Sequence, residues 1–326
     1  MPSVIVSEPV NVGILGVSDI AGRKFIPAIL KSKQARLKAL ASRMPEKLAT
    51  FKKNTSVELK SYGELLADPV IDLVYISLPN HLHEEWSIRA LEHGKHVLCE
   101  KPLALSVASA KRMLDAADFN GRLLFENIMY LQHPQHKAVK EFVLSGRIGR
   151  VLSLNSEFAF PGPVKGDFRL DSDMGGGAYN DLNRYPLSAA LNFLESKKHR
   201  FIEGKKETSG GLNISLQAES VTDADEKFSF LTSFGLSYRS FYEITGELGS
   251  IRVERAYTTP ADMENRIIMM VDCGDHSITV TPCDHFLATI EHVCELIRLG
   301  DWGYNNQNSL ELAELAAMFQ ENCSER

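Results

Sequence analysis

Short, almost continuously apolar runs alternate with segments of helical periodicity through the first 127 residues, and this alternation constrains the fold more than any other feature of the chain. Strands that are apolar along their length are typical of a parallel sheet covered on both faces, and helices between them complete βαβ units. The predicted strands are Val10–Val17, Leu37–Ser42, Leu73–Leu78, His96–Glu100 and Leu123–Glu126. The predicted helices are Gly22–Ser32, Pro45–Lys53, Ser61–Ala67, His83–His93 and one that Ser106 caps and that ends by Gly121. Residues 1–127 are therefore predicted to form a doubly wound α/β domain.

The pattern changes after residue 150, where polar and apolar residues alternate with the period of half-buried strands. The alternating segments are Val151–Phe160, Leu212–Ala218, Phe228–Arg239, Ile251–Arg255 and Ile267–Val271, and the helical ones are Pro134–Ser145, Phe286–Leu299 and Ser309–Asn322. We predict a second domain of α+β class over residues 128–326, with a large, mostly antiparallel open sheet. The stretch Glu203–Gly211 is predicted to be a mobile loop. A chain of 326 residues exceeds what one core usually organises, which agrees with two domains.

Composition argues against several classes of partner. The net charge is −6 and no basic run stands out, so nucleic acid is not an expected partner. No apolar run approaches the roughly 18 residues that cross a bilayer, and the N-terminal sequence lacks the basic start of a signal peptide. The five cysteines, Cys99, Cys273, Cys283, Cys294 and Cys323, form no paired pattern. We therefore predict a cytoplasmic protein with no membrane partner.

The first predicted strand leads into the turn Gly16-Val17-Ser18-Asp19-Ile20-Ala21, which reads GxGxxA with a serine in the second glycine position. Small residues there let the backbone approach a pyrophosphate, which then lies on the N-terminus of the following helix. This predicts a Rossmann dinucleotide site that includes Gly16, Ser18, Asp19 and Ile20. Because Ser18 adds a Cβ and a hydroxyl, the match is imperfect, and an ordinary strand–helix turn is the alternative.

The end of the second predicted strand indicates which dinucleotide is bound. Enzymes that use NAD place an acidic residue there to bond the ribose 2′-hydroxyl, but this strand ends in Ser42 and Arg43. A serine hydroxyl can bond a 2′-phosphate, and a guanidinium can pair with it and stack on adenine. We therefore predict NADP(H) as the cofactor; the alternative is that Arg43 begins a solvated helix.

The strand His96–Glu100 is followed by Lys101 and Pro102. In a doubly wound sheet the carboxyl ends of the strands face the ligand crevice, and successive side chains point in opposite directions. A lysine beside a nicotinamide could stabilise negative charge that develops on a substrate oxygen. A surface turn is the alternative when this tripeptide is taken alone.

A second candidate cluster follows three consecutive glycines, Gly175–Gly177. Asp181 and Tyr185 lie four residues apart, so on a helix they share one face. A phenol with a pKa of about 10 is protonated at neutral pH and can donate a proton, beside a carboxylate that orients the substrate. This mildly favours reduction of a carbonyl over oxidation of an alcohol. The alternative is an aspartate that favours the helix dipole and a tyrosine of the core.

Together these elements resemble the Gfo/Idh/MocA oxidoreductase family over nearly the whole chain. The resemblance rests on the Rossmann start, the strand end SLPNHLH, the segment HVLCEKPLA and the segment GGGAYNDLNRY. It implies an N-terminal domain that binds NADP(H) and a sheet-based substrate domain. The cofactor contacts that are predicted beyond the glycine turn and the Ser42–Arg43 pair are Tyr62, Leu78, Asn80, His83, Glu100, Lys101, Asn127 and Arg169. For Tyr62 and His83, ordinary structural roles are the alternatives.

Within this family the strings FENIMYLQHPQH, GDFR and YPL are most similar to reductases of nucleotide-linked 3-keto-deoxysugars. The resemblance implies hydride transfer from NADPH to a ring ketone, with Tyr185 as proton donor and Lys101 as stabiliser, although the sequence does not order these two roles. Asp181 and Arg169 would hold the sugar hydroxyls or the phosphate-bearing side. Asn180, Asn183 and Arg184 replace residues that are usually small or apolar, which leaves the sugar open.

Two other functions are compatible with the same residues. One is an NADP-dependent dehydrogenase that oxidises a free sugar, a cyclic polyol or a dihydrodiol. The other is a regulatory protein that binds NADP without turnover, although the presence of Lys101, Asp181 and Tyr185 argues against it. His133 and His136 have a spacing compatible with two metal ligands, but no third ligand is evident, so no metal site is predicted. The predicted open sheet suggests a homodimer or homotetramer.

Overall fold

The computed structural model describes residues 8–43, 57–271, 274–304 and 306–326. Its first sheet has six strands, all paired in parallel, in the order β3-β2-β1-β4-β5-β6. The strands are β1 Val10–Leu15, β2 Ala35–Ala41, β3 Glu58–Lys60, β4 Leu73–Ile76, β5 His96–Glu100 and β6 Leu124–Asn127. The predicted parallel sheet is confirmed, and its central strands are buried on both faces, which explains their continuous apolar runs.

Helices on both faces connect these strands. A π-helical turn, Ala21–Phe25, continues into α1, and the other helices follow at the predicted places; the predicted helix Pro45–Lys53 lies outside the described residues. The helices are α1 Ile26–Lys31, α2 Tyr62–Ala67, α3 His83–Glu92 and α4 Val107–Asn120. Ser61 and Glu64 form a capping box on α2, and the Ser106 side chain caps α4 as predicted.

The second sheet has nine strands among the described residues, in the order β14-β13-β12-β11-β7-β10-β9-β8-β15. The strands are β7 Val151–Phe160, β8 His199–Ser209, β9 Leu212–Thr222, β10 Lys227–Phe234, β11 Arg239–Gly246, β12 Gly249–Glu254, β13 Asn265–Val271, β14 Gly274–Val280 and β15 Ser324–Glu325. Only the β7–β10 and β8–β15 pairs are parallel, so the predicted, mostly antiparallel sheet is confirmed.

The predicted mobile loop Glu203–Gly211 is wrong. Residues 203–209 are the second half of β8, which pairs with β9 over its length, and Gly210 and Gly211 form the hairpin turn. The segment is rich in charged residues because most of its side chains are wholly or partly exposed. Backbone pairing with β9 and β15, rather than burial of apolar side chains, therefore stabilises it.

The remaining helices follow the first sheet in the chain, and the first of them connects β6 to β7 of the second sheet. They are α5 Pro134–Leu144, α6 Ala178–Leu182, α7 Arg184–Phe193, α8 His285–Leu299 and α9 Asn306–Asn322. The last two helices return to the first sheet: Arg298 Nη2 donates to the Gln34 carbonyl at 3.0 Å, and Asn306 Nδ2 donates to Asp118 Oδ1 at 3.0 Å. One core cluster therefore includes side chains from both sheets. No helix in the described part of the chain is long and apolar enough to span a bilayer.

Several histidines have a pKa that burial lowers, which predicts a loss of stability in acid. Burial lowers the pKa of His96, His133, His199 and His285 to about 4, whereas an unfolded histidine titrates near about 6.5. The unfolded chain therefore binds more protons between these values. The contribution of each histidine is fully present above about pH 6.5 and is lost as the pH falls toward about 4. Each should lower the free energy of unfolding by up to about 1.4 kcal/mol per pH unit in that window.

Urea unfolding between pH 7.5 and pH 5 measures this slope, with the pH values chosen to lie on either side of about 6.5. His133→Asn should reduce the slope by the share of one histidine. His81→Asn is the control, because His81 is exposed and should leave the slope unchanged. Equal slopes in the wild type and the His133 variant would contradict the prediction.

Candidate active site

The turn after β1 packs directly against the end of β4. Gly16 has φ +91°, and a Cβ there would lie 2.6 Å from Leu78 Cδ2 and 2.8 Å from the Ser77 carbonyl oxygen, so glycine is required. The Ser18 hydroxyl hydrogen-bonds the Ser77 hydroxyl and accepts from the Ala21 amide at 3.2 Å. The serine in the second glycine position therefore ties two strand ends together.

The remaining predicted residues of the glycine turn lie at its surface. Asp19 is exposed and forms an ion pair with Arg23 one helical turn later. Ile20 is half-buried against the core. The structure thus places Asp19 and Ile20 at the start of the first helical segment, as the pattern predicts, and their contact with a cofactor stays a prediction.

The end of β2 lies beside α2. Ser42 and Arg43 follow the strand, and the guanidinium of Arg43 lies against the phenol of Tyr62. Burial raises the pKa of Tyr62, and Arg43 opposes the rise. The Tyr62 ring packs edge-on against Trp86, with 4.9 Å between ring centroids. The guanidinium of Arg43, the phenol of Tyr62 and the ring of Trp86 therefore lie together beside the end of β2.

His83 lies behind the turn that follows β5. It is fully buried, and its Nδ1 and Nε2 lie 2.8 and 2.9 Å from the carbonyl oxygens of Pro102 and Leu78. A neutral imidazole donates to one of these oxygens at a time. Burial lowers the pKa of His83. Because both ring nitrogens face backbone carbonyls, His83 joins the ends of β4 and β5. Cofactor contacts of Leu78, Asn80 and His83 stay predictions.

Glu100 is held by two side chains from adjacent strands. Its Oε1 accepts from the Tyr75 hydroxyl at 2.5 Å and from Asn127 Nδ2 at 2.6 Å. Burial raises the pKa of Glu100. Asn127 is itself fully buried, and its Oδ1 has no hydrogen-bond partner in the structure. An unused acceptor therefore lies at the carboxyl end of β6.

Lys101, Asp181 and Arg169 form a partly buried charged cluster, in which Asp181 is buried and Arg169 is the most exposed member. Lys101 Nζ donates to Asp181 Oδ1 and to the Asp181 carbonyl oxygen, each at 2.7 Å. Arg169 Nε lies 3.0 Å from the same Oδ1. Burial alone would raise the pKa of Asp181, but Lys101 and Arg169 outweigh it and hold that pKa below its usual value. Asp181 is therefore a carboxylate that fixes the direction of two cations.

Arg169 is also held by Asp167, whose Oδ2 lies 3.2 Å from Nη1. Burial alone would lower the pKa of Arg169, but the carboxylates of Asp181 and Asp167 outweigh it and raise that pKa. Its placement depends on a glycine bend: a Cβ on Gly176 would lie 2.6 Å from the carbonyl oxygens of both Arg169 and Asp171. The three glycines therefore let the Arg169 segment pack against the start of α6.

Tyr185 completes the cluster. Its ring centroid is 5.4 Å from Lys101 Nζ, and its side chain is 4 % exposed. Burial first, and then the negative charge of Asp181, raises the pKa of Tyr185 well above that of a free phenol. The ring packs against Phe158 and Tyr257 at centroid distances of 4.7 and 5.3 Å. The hydroxyl has only a weak contact, with Met129 Sδ at 4.0 Å.

The polar residues that depart from the family pattern do not form one group. Asn180 Nδ2 donates to the Gly176 carbonyl at 3.1 Å, and Asn80 Nδ2 donates to the Gly175 carbonyl at 2.8 Å. Arg184 is buried and pairs with Glu126 instead of facing the Lys101 cluster. Asn80 and Asn180 therefore hold the glycine bend, which the sequence pattern did not indicate. Tyr75 and Met129 were also missed, because nothing in a buried apolar run marks which members line a site.

No cluster of three or more metal-ligating side chains occurs among the residues that the structure describes. His136 Nδ1 hydrogen-bonds the Tyr242 hydroxyl at 2.8 Å, and its Nε2 hydrogen-bonds the Ala256 carbonyl at 3.0 Å. Both nitrogens of His136 are therefore used within the fold.

The chain has a doubly wound sheet with a glycine turn at its strand ends, and a lysine, an aspartate and a tyrosine lie where this sheet meets the second one. This arrangement defines a two-domain dinucleotide-dependent oxidoreductase. The description "Oxidoreductase family, NAD-binding Rossmann fold" matches residues 10–128, and "GFO/IDH/MocA C-terminal domain" matches residues 136–252. The chain belongs to the Gfo/Idh/MocA oxidoreductase family.

Among similar proteins are two enzymes named dTDP-3,4-didehydro-2,6-dideoxy-alpha-D-glucose 3-reductase. That of Actinomadura kijaniata is 31% identical and the alignment covers 90% of each chain. That of Saccharopolyspora spinosa is 36% identical over 79% of this chain and 78% of the other. The crystal structure of a 3-ketoreductase from Actinomadura kijaniata with NADP and TDP-benzene superposes with a TM-score of 0.92 at 29% identity, covering 97% and 98% of the two chains.

The residues at the strand ends fit a nicotinamide dinucleotide. Gly16 leaves the backbone of the first turn free of a side chain, and Asn127 Oδ1 offers a buried acceptor without a partner. Arg43 supplies a cation beside Tyr62. A reduced nicotinamide would supply a hydride when bound, and the roles of Lys101, Asp181 and Tyr185 in such a reaction stay predictions.

Proposed function

We propose that the protein reduces a ring ketone of a nucleotide-linked deoxysugar with NADPH. The observation that carries this proposal is the convergence of the Lys101 ammonium, the Asp181 carboxylate and the Tyr185 phenol in one buried cluster. The similar enzymes named as 3-reductases of a dTDP-linked sugar support the substrate class. The related 3-ketoreductase was also crystallised with a single lysine or a single tyrosine replaced, and those two residues are as far apart along its chain as Lys101 and Tyr185 are here.

In the proposed mechanism Tyr185 is the proton donor. As the carbonyl carbon gains a hydride, its oxygen becomes an alkoxide, and the phenol O–H of Tyr185 gives that oxygen a proton. The raised pKa of Tyr185 keeps the phenol protonated at neutral pH, and solvent would return the proton after turnover. Lys101 stabilises the charge on the oxygen during the reaction. Asp181 orients Lys101 and Arg169, and Asp181 and Arg169 bind the sugar hydroxyls or the phosphate-bearing side.

Consumption of NADPH tests the function. The purified protein would be given a dTDP-linked 3-keto-6-deoxysugar, made in situ by a dehydratase, and the loss of nicotinamide absorbance would be followed together with formation of the sugar alcohol. We expect turnover with the nucleotide sugar and none with free sugars or inositols plus NADP. Oxidation of a free sugar or polyol without reduction of the nucleotide sugar would support a dehydrogenase instead. Binding of NADPH without turnover of any carbonyl would support a regulatory protein.

We propose that Ser42 and Arg43 select NADPH over NADH. Arg43→Ala should weaken NADPH binding by about 10-fold or more, because a charged hydrogen bond to a phosphate contributes about 1.5–3 kcal/mol. Binding of NADH, which lacks the phosphate, should change by less than about twofold. Titration of intrinsic fluorescence with each cofactor measures both constants. Tighter binding of NADH than NADPH by the wild type, or equal effects of the substitution on both, would overturn the assignment.

We also propose that the protein self-associates through the outer face of the second sheet. Strand β13 alternates buried and exposed residues, and its exposed positions include Ile268 and Met270, which are 37% and 39% accessible. Exposed apolar side chains on a flat sheet favour an isologous contact. Light scattering after gel filtration should give at least a dimer, and Ile268→Glu should shift it toward monomer. A monomeric wild type would contradict this proposal.

A further inference from the structure

A second buried ion pair lies next to the Lys101 cluster. Arg184 Nε is 3.0 Å from Glu126 Oε1, and the two side chains are 4% and 1% exposed. Glu126 belongs to β6 of the first sheet, whereas Arg184 begins α7 of the second domain, 58 residues later. The pair therefore bridges the two sheets without being part of the cluster that faces the substrate.

Both members of the pair hold the turn that carries Lys101. Glu126 Oε1 also accepts from the Leu103 amide at 2.9 Å, and Arg184 Nη2 donates to the Ala104 carbonyl at 3.1 Å. His83 bonds the Pro102 carbonyl at 2.8 Å. Three consecutive residues after Lys101 thus have their backbone fixed by buried side chains, and only Arg184 among these side chains comes from the second domain.

Each member of the pair is also adjacent in sequence to a residue of the site. Arg184 precedes Tyr185, and its guanidinium fixes the first turn of α7 to the turn that follows β5. Glu126 precedes Asn127, which donates to Glu100. A shift of Arg184 relative to Glu126 would therefore move the Tyr185 phenol relative to the Lys101 ammonium.

Stability alone does not explain this pair. Removing two charges from water costs several kcal/mol per ion, and a neutral pair of similar size is often equally stable or more stable. Glu126 Oε2 is buried without a hydrogen-bond partner in the structure, so the desolvation of the carboxylate is only partly compensated. We therefore attribute the pair to the relative position that it gives to the segments it joins, and not to a gain in stability.

We propose that Glu126 and Arg184 are a positioning pair, which sets the separation of Lys101 and Tyr185 across the two domains. The part that concerns turnover rests on the proposed ketoreductase function. Neither residue contacts substrate in this scheme; they act through the backbone of residues 103–104 and through the first turn of α7.

The test removes the ion pair that joins the two domains but keeps the hydrogen bond between residue 126 and the Leu103 amide within the first domain. In the double variant Glu126→Gln/Arg184→Met, a glutamine Oε1 can still accept from the Leu103 amide, whereas no group reaches the Ala104 carbonyl. We expect kcat to fall by about 10- to 100-fold, because small displacements of reacting groups cost up to about 10²-fold. The Kd for NADPH and the KM for the keto sugar should change by less than about threefold. Arg184→Lys, which keeps the charge but not the planar fork, should give an intermediate kcat.

The matched control exchanges a second carboxylate–arginine pair in the same way. Glu247 and Arg150 form a pair at 3.3 Å in which both side chains are about half exposed, and Glu247→Gln/Arg150→Met should leave kcat unchanged. A folded Glu126→Gln/Arg184→Met variant with a kcat within about twofold of the wild type would overturn the proposal. The double variant keeps the test valid if Arg184→Met alone fails to fold, as expected when a buried carboxylate loses its partner.

Amide exchange gives a readout that does not depend on turnover. In the wild type the Leu103 amide and the surrounding turn should exchange slowly, and a peptide that spans residues 101–106 should exchange faster in the double variant but not in the control. Unchanged exchange in this peptide would also overturn the proposal. If the wild type failed to reduce any nucleotide-linked ketone, the proposed function would fail while this experiment still decided whether the pair fixes the turn.

Discussion

Replacing Lys101 with methionine is expected to lower kcat by about 10³-fold, which corresponds to about 4 kcal/mol of lost transition-state stabilisation. Methionine keeps the length of the side chain but removes the charge that the proposed mechanism places beside the developing alkoxide. It also leaves Asp181 with Arg169 as its remaining cation. The measurement is single-turnover reduction of the keto sugar at saturating NADPH, which separates the chemical step from product release.

The control for this substitution is Lys111→Met, because Lys111 is an exposed lysine of α4. The Lys111→Met variant should reduce the keto sugar at the wild-type rate. The Kd for NADPH of the Lys101 variant should stay within about threefold of the wild type if the main role of Lys101 is chemical. A Lys101→Met variant that is folded, binds NADPH and retains turnover within about fivefold of the wild type would remove Lys101 from the mechanism.

Replacing Tyr185 with phenylalanine is expected to lower kcat by about 10²- to 10⁴-fold, the range contributed by a positioned proton donor. The substitution removes one hydroxyl, whose hydrogen-bond contact among the described residues is a weak one, with the sulfur of Met129 at 4.0 Å, so the melting temperature should be nearly unchanged. Because burial and Asp181 raise the pKa of Tyr185, the wild-type phenol should stay protonated throughout neutral pH. The activity of the wild type should therefore show no loss from ionisation of this group below about pH 10.

Tyr257→Phe is the matched control, since Tyr257 is also a buried tyrosine and its ring packs 5.3 Å from that of Tyr185. Its hydroxyl hydrogen-bonds Ser156 at 2.5 Å and plays no part in the proposed chemistry. A large loss of kcat in both variants would indicate that packing of the aromatic cluster, and not proton donation, explains the effect at Tyr185.

The central strands of the first sheet could be predicted from sequence because they are buried on both faces, so that each of them is an apolar run. The strand β8 could not, because its side chains are mostly exposed and backbone pairing with β9 holds it. The short strand β3 was missed for the same reason: only three residues pair, and they are exposed or half-buried. An apolar pattern in the sequence indicates which strands are buried. It does not indicate strands that are held mainly by backbone hydrogen bonds.

The candidate site, like the fold, could be predicted only in part from the sequence. The structure brings Lys101, Asp181 and Tyr185 together, in agreement with what the family resemblance implied, and their chemical roles stay predictions. The Glu126–Arg184 pair could not be predicted, because its members are 58 residues apart in two separate segments and nothing in the sequence marks them as partners. The contacts of His83 with the Pro102 and Leu78 carbonyls were also missed. Contacts to the backbone do not depend on the identity of the partner residue, so they leave no pattern in the sequence.

The return of α8 to the first sheet has a consequence for the order of folding. Phe286, Ile290 and Val293 of this helix share one core with Val12 and Ile29 of the first domain. During synthesis from the N-terminus, the ribosome delivers these three side chains only after strands β7 to β14 of the second sheet. The nascent first domain therefore carries an uncovered apolar surface while most of the remaining chain is made, and its final stability is acquired in the last stage of translation.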